Sequence, residues 1–507
     1  MANNENSPWK KPFSAVVDQR QEKMPSAWLA AGPLVSERCE RGHEVFGSGP
    51  QRVAADAVVA LVRLAVHKVV VSSFLLADRD IEDALLAAGK QGVRVYVLLA
   101  SEARLGKAER DGEFDKRVLE EHKKMLSRLA GYVLFRSAQH FHAKVVLVDP
   151  ETRPAGVLLT ANLTKEALER NEELTVVLTS EEVVEATETV KWAMWESAEH
   201  EFMDPADRFK SVKPLGKVAH PGLSSAVVAT TPKSASIRDE ALRLIKGAQS
   251  RIVVSSFGWG AGHEVVRALA ERARAGIDVT VLARVRPVSM PALLDLASAG
   301  AKVVGFTWLH AKAVWTDSGH AMVMSANLEA IGLDGGFELG VRLSGSRADE
   351  VGFFLTRWAE QRAEWRLVVA PVLGDASGKV KLWHGCKLEE SEIQPRVDVE
   401  LDIVAAKSAE DLTADMPVVP SSGPFPRLAH ELRCRWVVVA PVLAANAKEV
   451  KRPVEKGEKA VSYTPPVFRE PGGRLVVAVR DPDELDSARE IMHLANAEAI
   501  VLAADGV

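Results

Sequence analysis

Two closely matching stretches decide the fold: His142-Ala-Lys-Val-Val-Leu-Val-Asp149 and His310-Ala-Lys-Ala-Val-Trp-Thr-Asp317. Each joins a polar His-x-Lys segment to a short, largely apolar run that ends on an aspartate. Downstream of them, Thr160-Ala-Asn-Leu163 follows the first stretch and Ser325-Ala-Asn-Leu328 follows the second. Because the same polar residues recur in the same order, the chain contains an internal duplication.

The duplication extends upstream through two more pairs of segments. Val69-Val-Val-Ser-Ser-Phe74 returns as Ile252-Val-Val-Ser-Ser-Phe257, and the run from Gln91 to Leu99 returns from Ala275 to Leu282. Short β-branched runs alternate with helical stretches around these segments, a pattern typical of an α/β layer fold. We therefore predict two pseudo-symmetric repeats, each a mixed sheet flanked by helices.

Changes in composition predict the division of the chain. Proline and glycine residues between the repeats indicate a linker, and the last third of the chain reads as β-rich without a catalytic signature. The predicted segments are a lead-in at 1–50, the first repeat at 51–205, the linker at 206–224, the second repeat at 225–365 and a β-rich C-terminal region at 366–507. The first repeat has an extra charged helix at roughly 107–129, which is either a solvated face or an element that shapes the substrate cleft.

Strand geometry groups the polar residues of each repeat. The first motif predicts a strand over 141–149 and a returning strand over 157–162. Side chains two positions apart in a strand share a face, so each hairpin presents a histidine, a lysine, a hydroxyl and an amide on one surface. These candidate residues are His142, Lys144, Thr160 and Asn162 in the first repeat and His310, Lys312, Ser325 and Asn327 in the second.

These residue types suit phosphodiester cleavage. One imidazole can attack phosphorus and form a phosphohistidine, while the other donates a proton to the leaving oxygen. The lysines and asparagines can hold the non-bridging oxygens and stabilise the charge of the transition state, with Thr160 and Ser325 as further substrate-binding groups. This chemistry requires neither a metal nor a cofactor, and none is predicted. The alternative interpretation is a pair of strand ends whose polar groups are satisfied within the fold.

Other polar residues have predicted supporting roles. Glu173 and Glu338 follow the two asparagines at the same interval, and each could accept the second ring proton of a histidine and so fix its tautomer. Asp149 and Asp317 are expected on the opposite face near the strand ends, where they support the fold. His140 is expected to be a cleft-lining neighbour or an ordinary strand residue.

The two His-x-Lys-x4-Asp motifs, each followed by Ser/Thr-Ala-Asn, resemble those of the phospholipase D superfamily over approximately residues 50–365. The resemblance implies a two-fold pseudo-symmetric α/β fold in which both motifs meet at one active site. It implies that one of His142 and His310 is the nucleophile and the other the general acid, and it favours His142 as the nucleophile. By the same analogy the lysines and asparagines bind phosphate. Thr160 stands where serine is more usual, which keeps the hydroxyl.

Composition narrows the class of protein. A hydrophobic fraction of 47% and a charged fraction of 26% are those of a soluble globular protein. The formal net charge of −5 argues against a surface coated in basic residues. The N-terminus has no apolar signal region, and no run of 18 apolar residues occurs, so we predict no integral membrane segment and a cytoplasmic location.

Three functions fit this sequence. We favour a nuclease that hydrolyses DNA or RNA, with DNA as the favoured partner and a role in bacterial defence or repair, because the signals of lipid-acting relatives are missing. The alternatives are a peripheral phospholipase D or phosphatidyltransferase acting on phospholipid, and a non-catalytic binding protein on the same fold. Since the net charge opposes unaided binding of nucleic acid, a partner protein could deliver the substrate.

Overall fold

The computed structural model describes most of both predicted repeats. The described residues are 26–31, 40–110, 114–204, 209–222, 226–370, 378–384 and 386–393, together with strands at 13–15, 401–403, 436–441, 468–469, 474–479 and 500–501. Most of the predicted lead-in and of the predicted C-terminal region lies outside them, as do residues 206–208 and 223–224 of the predicted linker. The repeats form one compact unit, residues 30–369 with 383–388.

The first repeat is a mixed sheet with helices. Two short strands precede it, β1 (Phe13–Ala15) and β2 (Ala27–Ala30). Its strands are β3 (Val45–Gly47), β4 (Lys68–Ser72), β5 (Leu76–Ala77), β6 (Arg94–Ala100), β7 (Val133–Ala138), β8 (Val145–Val148), β9 (Ala155–Leu159), β10 (Leu163–Thr164), β11 (Leu174–Leu178), β12 (His200–Phe202) and β13 (Lys210–Ser211). Its helices are α1 (Val53–Leu64), α2 (Arg79–Lys90), α3 (Glu102–Arg110), α4 (Lys116–Leu129), α5 (Lys165–Glu169) and α6 (Ser180–Trp192).

The second repeat has the same kinds of element. Its strands are β14 (Val227–Thr231), β15 (Ser234–Ala235), β16 (Arg251–Ser256), β17 (Asp278–Arg284), β18 (Lys302–Phe306), β19 (Ala313–Thr316), β20 (His320–Met324), β21 (Glu338–Ser344) and β22 (Trp365–Val368). Its helices are α7 (Ser236–Gly247), α8 (Glu264–Arg274), α9 (Met290–Ser298) and α10 (Ser346–Arg357). Single turns of π- or 3₁₀-helix occur at Ala193–Ser197, Pro287–Ser289, Ile331–Gly335 and Trp358–Arg362.

Strand pairing shows that the two repeats share one topology. In the first, β4, β6 and β7 are parallel neighbours, and β8, β9 and β11 continue the sheet as antiparallel strands beside β4. In the second, β16, β17 and β18 are parallel, and β19, β20 and β21 continue in the same way beside β16. The predicted fold class, two α/β repeats with mixed sheets flanked by helices, is confirmed.

A hydrophobic core is shared by the two repeats. Valines of β8 and β11 lie in one buried cluster with residues of β16, β20 and β21, and helices α6 and α10 also contribute to it. The rings of Phe141 and Phe337 meet there with their centroids 5.4 Å apart, and both side chains are almost fully buried. Burying a side chain of this size stabilises a fold by about 1.5–3 kcal/mol. The apolar faces therefore hold the two sheets together and fix the hairpins relative to each other.

The described elements differ from the prediction in two places. The charged insertion of the first repeat is two helices, α3 and α4, rather than one helix over 107–129, and Asp115 caps the second by accepting a hydrogen bond from the backbone N–H of Arg117 (2.8 Å). The sheet also begins before the predicted boundary at residue 51, because Val45–Gly47 pairs with β11.

Beyond residue 369 the described elements are strands. They are β23 (Gly378–His384), β24 (Lys387–Ile393), β25 (Leu401–Ile403), β26 (Trp436–Pro441), β27 (Phe468–Arg469), β28 (Arg474–Val479) and β29 (Ile500–Val501). Strands β27, β28, β26 and β29 form a sheet, and β1 pairs with β25. In the described part of the chain, no helix has the length and apolar character that a membrane span requires.

Candidate active site

The two hairpins bring the motif residues to one end of each sheet. Strand β8 covers only 145–148, so His142 and Lys144 lie just before it rather than within the strand predicted over 141–149. Thr160 and Asn162 lie just after β9. Because β8 and β9 are antiparallel, the start of one strand is next to the end of the other. The second repeat places its four counterparts in the same way around β19 and β20.

The segment before β8 is not part of that strand because its backbone pairs with the other repeat. The backbone N–H groups of His142 and Ala143 both donate to the carbonyl of Phe337, at 3.1 and 2.9 Å. The equivalent N–H groups of His310 and Ala311 donate to the carbonyl of Glu172, at 3.0 and 2.8 Å. Each motif histidine is therefore held in place by the backbone of the opposite repeat.

Each repeat supplies the carboxylate that pairs with the motif histidine of the other repeat. Nδ1 of His142 lies 2.7 Å from Oε1 of Glu338, and Nδ1 of His310 lies 2.7 Å from Oε1 of Glu173. The side chains of Glu338 and Glu173 are 3% and 0% exposed. An ionised carboxylate only accepts hydrogen bonds, so Nδ1 carries the proton in each pair and Nε2 keeps its lone pair. A carboxylate from the opposite repeat therefore sets the tautomer of each histidine and leaves Nε2 as the nitrogen that can react.

The hydroxyls of Thr160 and Ser325 lie behind the carboxylates. Oγ1 of Thr160 donates to Oε2 of Glu173 at 2.6 Å, and Oγ of Ser325 donates to Oε2 of Glu338. Both residues are fully buried, and each hydroxyl also accepts the N–H of the residue after the glutamate. Their expected role as substrate-binding groups is therefore corrected: they orient Glu173 and Glu338, which orient the histidines.

Burial sets the protonation state of the site. It lowers the pKa of both histidines despite the paired carboxylates, and the pKa of His310 falls to about 3. Burial alone raises the pKa of Glu173 and Glu338, but their histidine partners, nearby lysines and hydrogen bonds outweigh it, so both pKa values lie below the ordinary value. At neutral pH the site holds neutral imidazoles beside ionised carboxylates.

The lysines link the two motifs electrostatically. Lys144 and Lys312 are fully buried, and each Nζ donates to the carbonyl of its own motif histidine at 2.6 Å. Lys312 contributes to lowering the pKa of His142, and Lys144 does the same for His310. Together with the crossed pairs of His142 with Glu338 and of His310 with Glu173, these lysines bring the polar groups of both motifs to the interface between the repeats.

The asparagine amides carry unsatisfied polar atoms at this site. Oδ1 of Asn162 and Oδ1 of Asn327 are buried without a hydrogen-bond partner. Nδ2 of Asn327 donates to Oε1 of Glu329 at 3.2 Å. Buried polar atoms in proteins nearly always have partners, so these two carbonyl oxygens call for a hydrogen-bond donor from water or from a bound molecule.

The repeated Val-Val-Ser-Ser-Phe segments contribute residues that the sequence reasoning left out. The rings of Phe74 and Phe257 pack edge-on against His142 and His310, with centroids 5.2 and 5.0 Å apart. The preceding serines hold the motif backbone; Oγ of Ser72 donates to the carbonyl of Ala143 at 3.0 Å. The recurrence of the whole segment in both repeats was the signal for this role.

The aspartates of the motifs lie at the far ends of their strands. Asp149 accepts hydrogen bonds from three consecutive backbone N–H groups, those of residues 66–68, at 2.7–2.8 Å. Asp317 accepts from the N–H groups of Gln249 and Ser250 at 3.0 and 2.7 Å. These carboxylates tie the end of each hairpin to the strand beside it.

Nε2 of His140 lies 2.7 Å from Oγ of Ser197.

A cavity of about 340 Å³ opens beside the second histidine. Its lining includes His310, Asn162, Arg117, Arg170, Arg284 and Trp308. Arg117 belongs to α4, so the charged insertion of the first repeat shapes the cleft, one of the two alternatives that the sequence allowed. The cavity combines a motif histidine and three guanidinium groups with three carboxylates, those of Asp115, Glu121 and Glu166, so its lining is polar and carries both signs of charge.

Known proteins provide a comparison. A family model described as cardiolipin synthase, PLD-like domain, matches residues 58–195 and 241–352. No curated protein matches the sequence. Solved structures similar to this chain include a phosphatidylserine synthase from Haemophilus influenzae Rd KW20 (11% identity, TM-score 0.46, covering 68% of this chain and 89% of that one). Another is the phospholipase D family member Nuc from Salmonella typhimurium (20% identity, TM-score 0.25, covering 28% and 97%).

A polyphosphate kinase from Porphyromonas gingivalis is also similar (14% identity, TM-score 0.45), with 68% of this chain covered; the match spans only 52% of the kinase. The family model covers both repeats, including both histidines, both lysines and both carboxylates. Its match and the paired motifs support a phosphodiesterase or phosphoryl-transfer activity. The chain belongs to the phospholipase D superfamily.

Proposed function

We propose that this protein is a metal-independent nuclease that hydrolyses DNA or RNA phosphodiesters through a phosphohistidine. The observation that carries the proposal is the reciprocal pairing of His142 with Glu338 and of His310 with Glu173. Two imidazoles of fixed tautomer, each from a different repeat, can act on opposite sides of one phosphorus. DNA is the favoured substrate.

The reaction proceeds in two displacements. Nε2 of His142 attacks phosphorus, the bond to the leaving oxygen breaks, and the imidazolium of His310 protonates that oxygen. The neutral His310 then takes a proton from water as the water oxygen attacks phosphorus, and the P–N bond breaks to release the second product. Lys144 and Lys312 neutralise the non-bridging oxygens in both steps, with Asn162 and Asn327 as further phosphate ligands.

The protonation states of the site are compatible with this sequence. A lowered pKa keeps the attacking histidine unprotonated at neutral pH. The acid must carry a proton in the complex, and the negative charge of a bound phosphodiester raises the pKa of the imidazole beside it. Substrate binding therefore favours the protonated form of His310, while His142 stays neutral and attacks phosphorus with the lone pair of Nε2.

The cavity supports nucleic acid as the substrate. Beside His310 it presents Arg170 and Arg284, two guanidinium groups that suit an extended anion better than a single headgroup, whereas Arg117 at its edge is paired with Asp115. A partner protein that delivers the polymer and a cytoplasmic location are part of the proposal.

Cleavage of oligonucleotides in excess EDTA tests this function. Single-stranded DNA, double-stranded DNA and RNA are each incubated with the wild type and with the His142→Ala and His310→Ala variants. We expect cleavage by the wild type in chelator and none by either variant. The matched control is His140→Ala, which removes a nearby imidazole that contacts Ser197 and should retain activity. Intact oligonucleotides with the wild type would reject the nuclease proposal.

A second candidate is a peripheral phospholipase D or phosphatidyltransferase. The description of the matching family model, cardiolipin synthase, favours it. Vesicles that contain phosphatidylglycerol are the discriminating substrate. Release or exchange of the headgroup, abolished by His142→Ala and accompanied by intact oligonucleotides, would establish this function instead.

A further inference from the structure

Trp308 holds two arginines at the wall of the cavity. The guanidinium carbon of Arg170 lies 3.7 Å from the centroid of the Trp308 ring, and that of Arg284 lies 4.9 Å from it. Arg284 also lies 5.2 Å from the Phe257 ring, which packs against His310. The cluster therefore extends directly from the reactive histidine into the cavity.

The interface between the repeats assembles this cluster. Trp308 and Arg284 come from the second repeat, and Arg170 comes from the first. The backbone N–H of Glu172, two residues after Arg170, donates to the carbonyl of Trp308 at 2.9 Å. The same crossing backbone contact that positions His310 thus brings Arg170 to the indole.

Cation–π contact fixes the plane of a guanidinium group. An arginine that lies on an aromatic ring uses the face of its planar group, while its N–H donors point outward along the edges. Those edges form paired hydrogen bonds to phosphate oxygens. Fixing the group on an indole also lowers the conformational entropy that binding would otherwise cost. Two such groups in one cavity match a phosphate.

Three carboxylates line the same cavity, those of Asp115, Glu121 and Glu166. Asp115 forms an ion pair with Arg117 at 3.1 Å, and Glu121 forms one with Lys124 at 2.8 Å. Glu166 lies on α5, the helix whose C-cap is Arg170, so this wall of the cavity carries a carboxylate as well as the guanidinium groups.

We propose that Arg170 and Arg284, held on Trp308, form a subsite for a second phosphate group of the substrate, next to the phosphate that reacts. The inference rests on the proposed function and deepens it. It restricts the preferred substrates to those in which phosphates follow one another along a chain, as in a polynucleotide.

The cluster on Trp308 has no counterpart at the aligned positions of the first repeat, where the arginine near the equivalent phenylalanine is Arg104, 5.2 Å from the Phe74 ring. By alignment of the two motifs, the first repeat has His140 where the second has Trp308, and Ala100 ends β6 where Arg284 ends β17. Gly335 stands at the position related to Arg170. A symmetric reaction centre with a second phosphate site on one side gives the bound chain a direction.

Binding of small nucleotides tests the subsite without requiring turnover. Deoxythymidine 3′,5′-bisphosphate and the 5′- and 3′-monophosphates are titrated into the full-length protein by calorimetry, in EDTA. We expect the bisphosphate to bind at least about 10-fold more tightly than either monophosphate. In Arg170→Gln and Arg284→Gln this preference should fall below about 3-fold.

The matched control is Arg117→Gln, which removes one guanidinium from the same cavity but not from Trp308. It should keep the preference for the bisphosphate. Equal binding of all three nucleotides by the wild type, or an equal loss of preference in Arg117→Gln, would overturn the inference. Arg170 is exposed, so its variant does not disturb the core.

Two further arms separate this inference from the function on which it rests. If the bisphosphate preference depends on Arg170 and Arg284 but no oligonucleotide is cleaved, the subsite stands and the nuclease proposal fails. Inorganic tripolyphosphate distinguishes the source of the second phosphate. Tight binding of tripolyphosphate without any preference for the nucleoside bisphosphate would overturn a subsite spaced for nucleotides.

Discussion

The two repeats share their reactive groups but differ in what surrounds them. At the reaction centre each has a histidine, a buried lysine, an amide and a carboxylate given to the opposite histidine. At the rim, the first repeat contributes the α3–α4 insertion, whereas the second contributes Trp308 and Arg284. Under the proposed function, the duplicated residues perform the chemistry and the unmatched ones select the substrate.

The crossed carboxylates also make the repeats interdependent. Removing either repeat would leave the histidine of the other without its acceptor and without the backbone carbonyl that holds the motif. A buried network of this kind is favourable only when every member is present. The following predictions test how far the two halves are equivalent.

The largest effect is expected from substitution of the two histidines. Both variants should lose the same share of the rate, but only one should accumulate the phosphohistidine. His142→Asn and His310→Asn should each lower the rate on a phosphodiester by on the order of 10⁴-fold, because the first variant lacks the attacking group and the second lacks the proton donor. With ³²P-labelled substrate, acid-labile label should accumulate on His310→Asn and be absent from His142→Asn. Label on His142→Asn alone would show that His310, and not His142, is the nucleophile.

The next largest effect is expected from the two carboxylates that pair with the histidine of the opposite repeat. Glu173→Gln and Glu338→Gln keep the shape of the side chain but not the charge that fixes the tautomer, so each should lower kcat by about 10²- to 10⁴-fold. Equal losses would support a symmetric centre. If one variant keeps wild-type kcat, its histidine does not depend on the exchanged partner, and the crossed pairing has no catalytic role.

His122 should make the fold sensitive to acid, in addition to the buried histidines of the two motifs. His122 of α4 is buried, with Nδ1 at 3.1 and 3.0 Å from the backbone nitrogen and oxygen of Leu76, and burial lowers its pKa to about 4. The unfolded chain, with an ordinary pKa, binds a proton that the folded protein rejects, so stability falls as pH drops from about 6.5 toward 4. At pH 5 this loss is about 2 kcal/mol.

Urea unfolding of the wild type and of His122→Gln at pH 7 and pH 5 measures this contribution. The variant should lose about 2 kcal/mol less than the wild type between the two pH values, whatever its stability at pH 7. The buried histidines of the active site remain in both proteins and cancel in the comparison. An unchanged pH difference would show that His122 is not the sensor.

The smallest expected change is in the pH dependence of attack. With bis(p-nitrophenyl) phosphate the leaving group needs no proton, so the acid limb reports the nucleophile alone. Because burial lowers the pKa of His142, kcat/KM should fall by less between pH 7.5 and 5.5 than the about 10-fold that an unshifted histidine would lose. A 10-fold loss in stopped assays would show that the nucleophile titrates normally.

Much of this organisation could be read from the chain. The repeat order, the α/β class and the grouping of His, Lys and Asn at hairpin ends follow from local patterns of period two and from motif spacing. The errors were also local. The strand predicted over 141–149 begins at Val145, because the backbone of His142 and Ala143 pairs with Phe337 instead of a neighbouring strand.

The roles of Thr160 and Ser325 could not be read in this way. A hydroxyl next to a catalytic amide is as compatible with substrate as with a buried carboxylate. Only the packing of β9 against β11 shows that the hydroxyl of Thr160 faces Glu173.

The sequence by itself determined that two matching sets of polar groups exist and that each lies at the end of a hairpin, since both facts depend on residues close together in the chain. The tertiary structure alone decided which carboxylate serves which histidine and that Arg170 meets Trp308. Those partners are separated by 137 residues for Glu173 and His310 and by 196 for His142 and Glu338. They come together only because the apolar faces of two sheets share one core, and no local pattern encodes that packing.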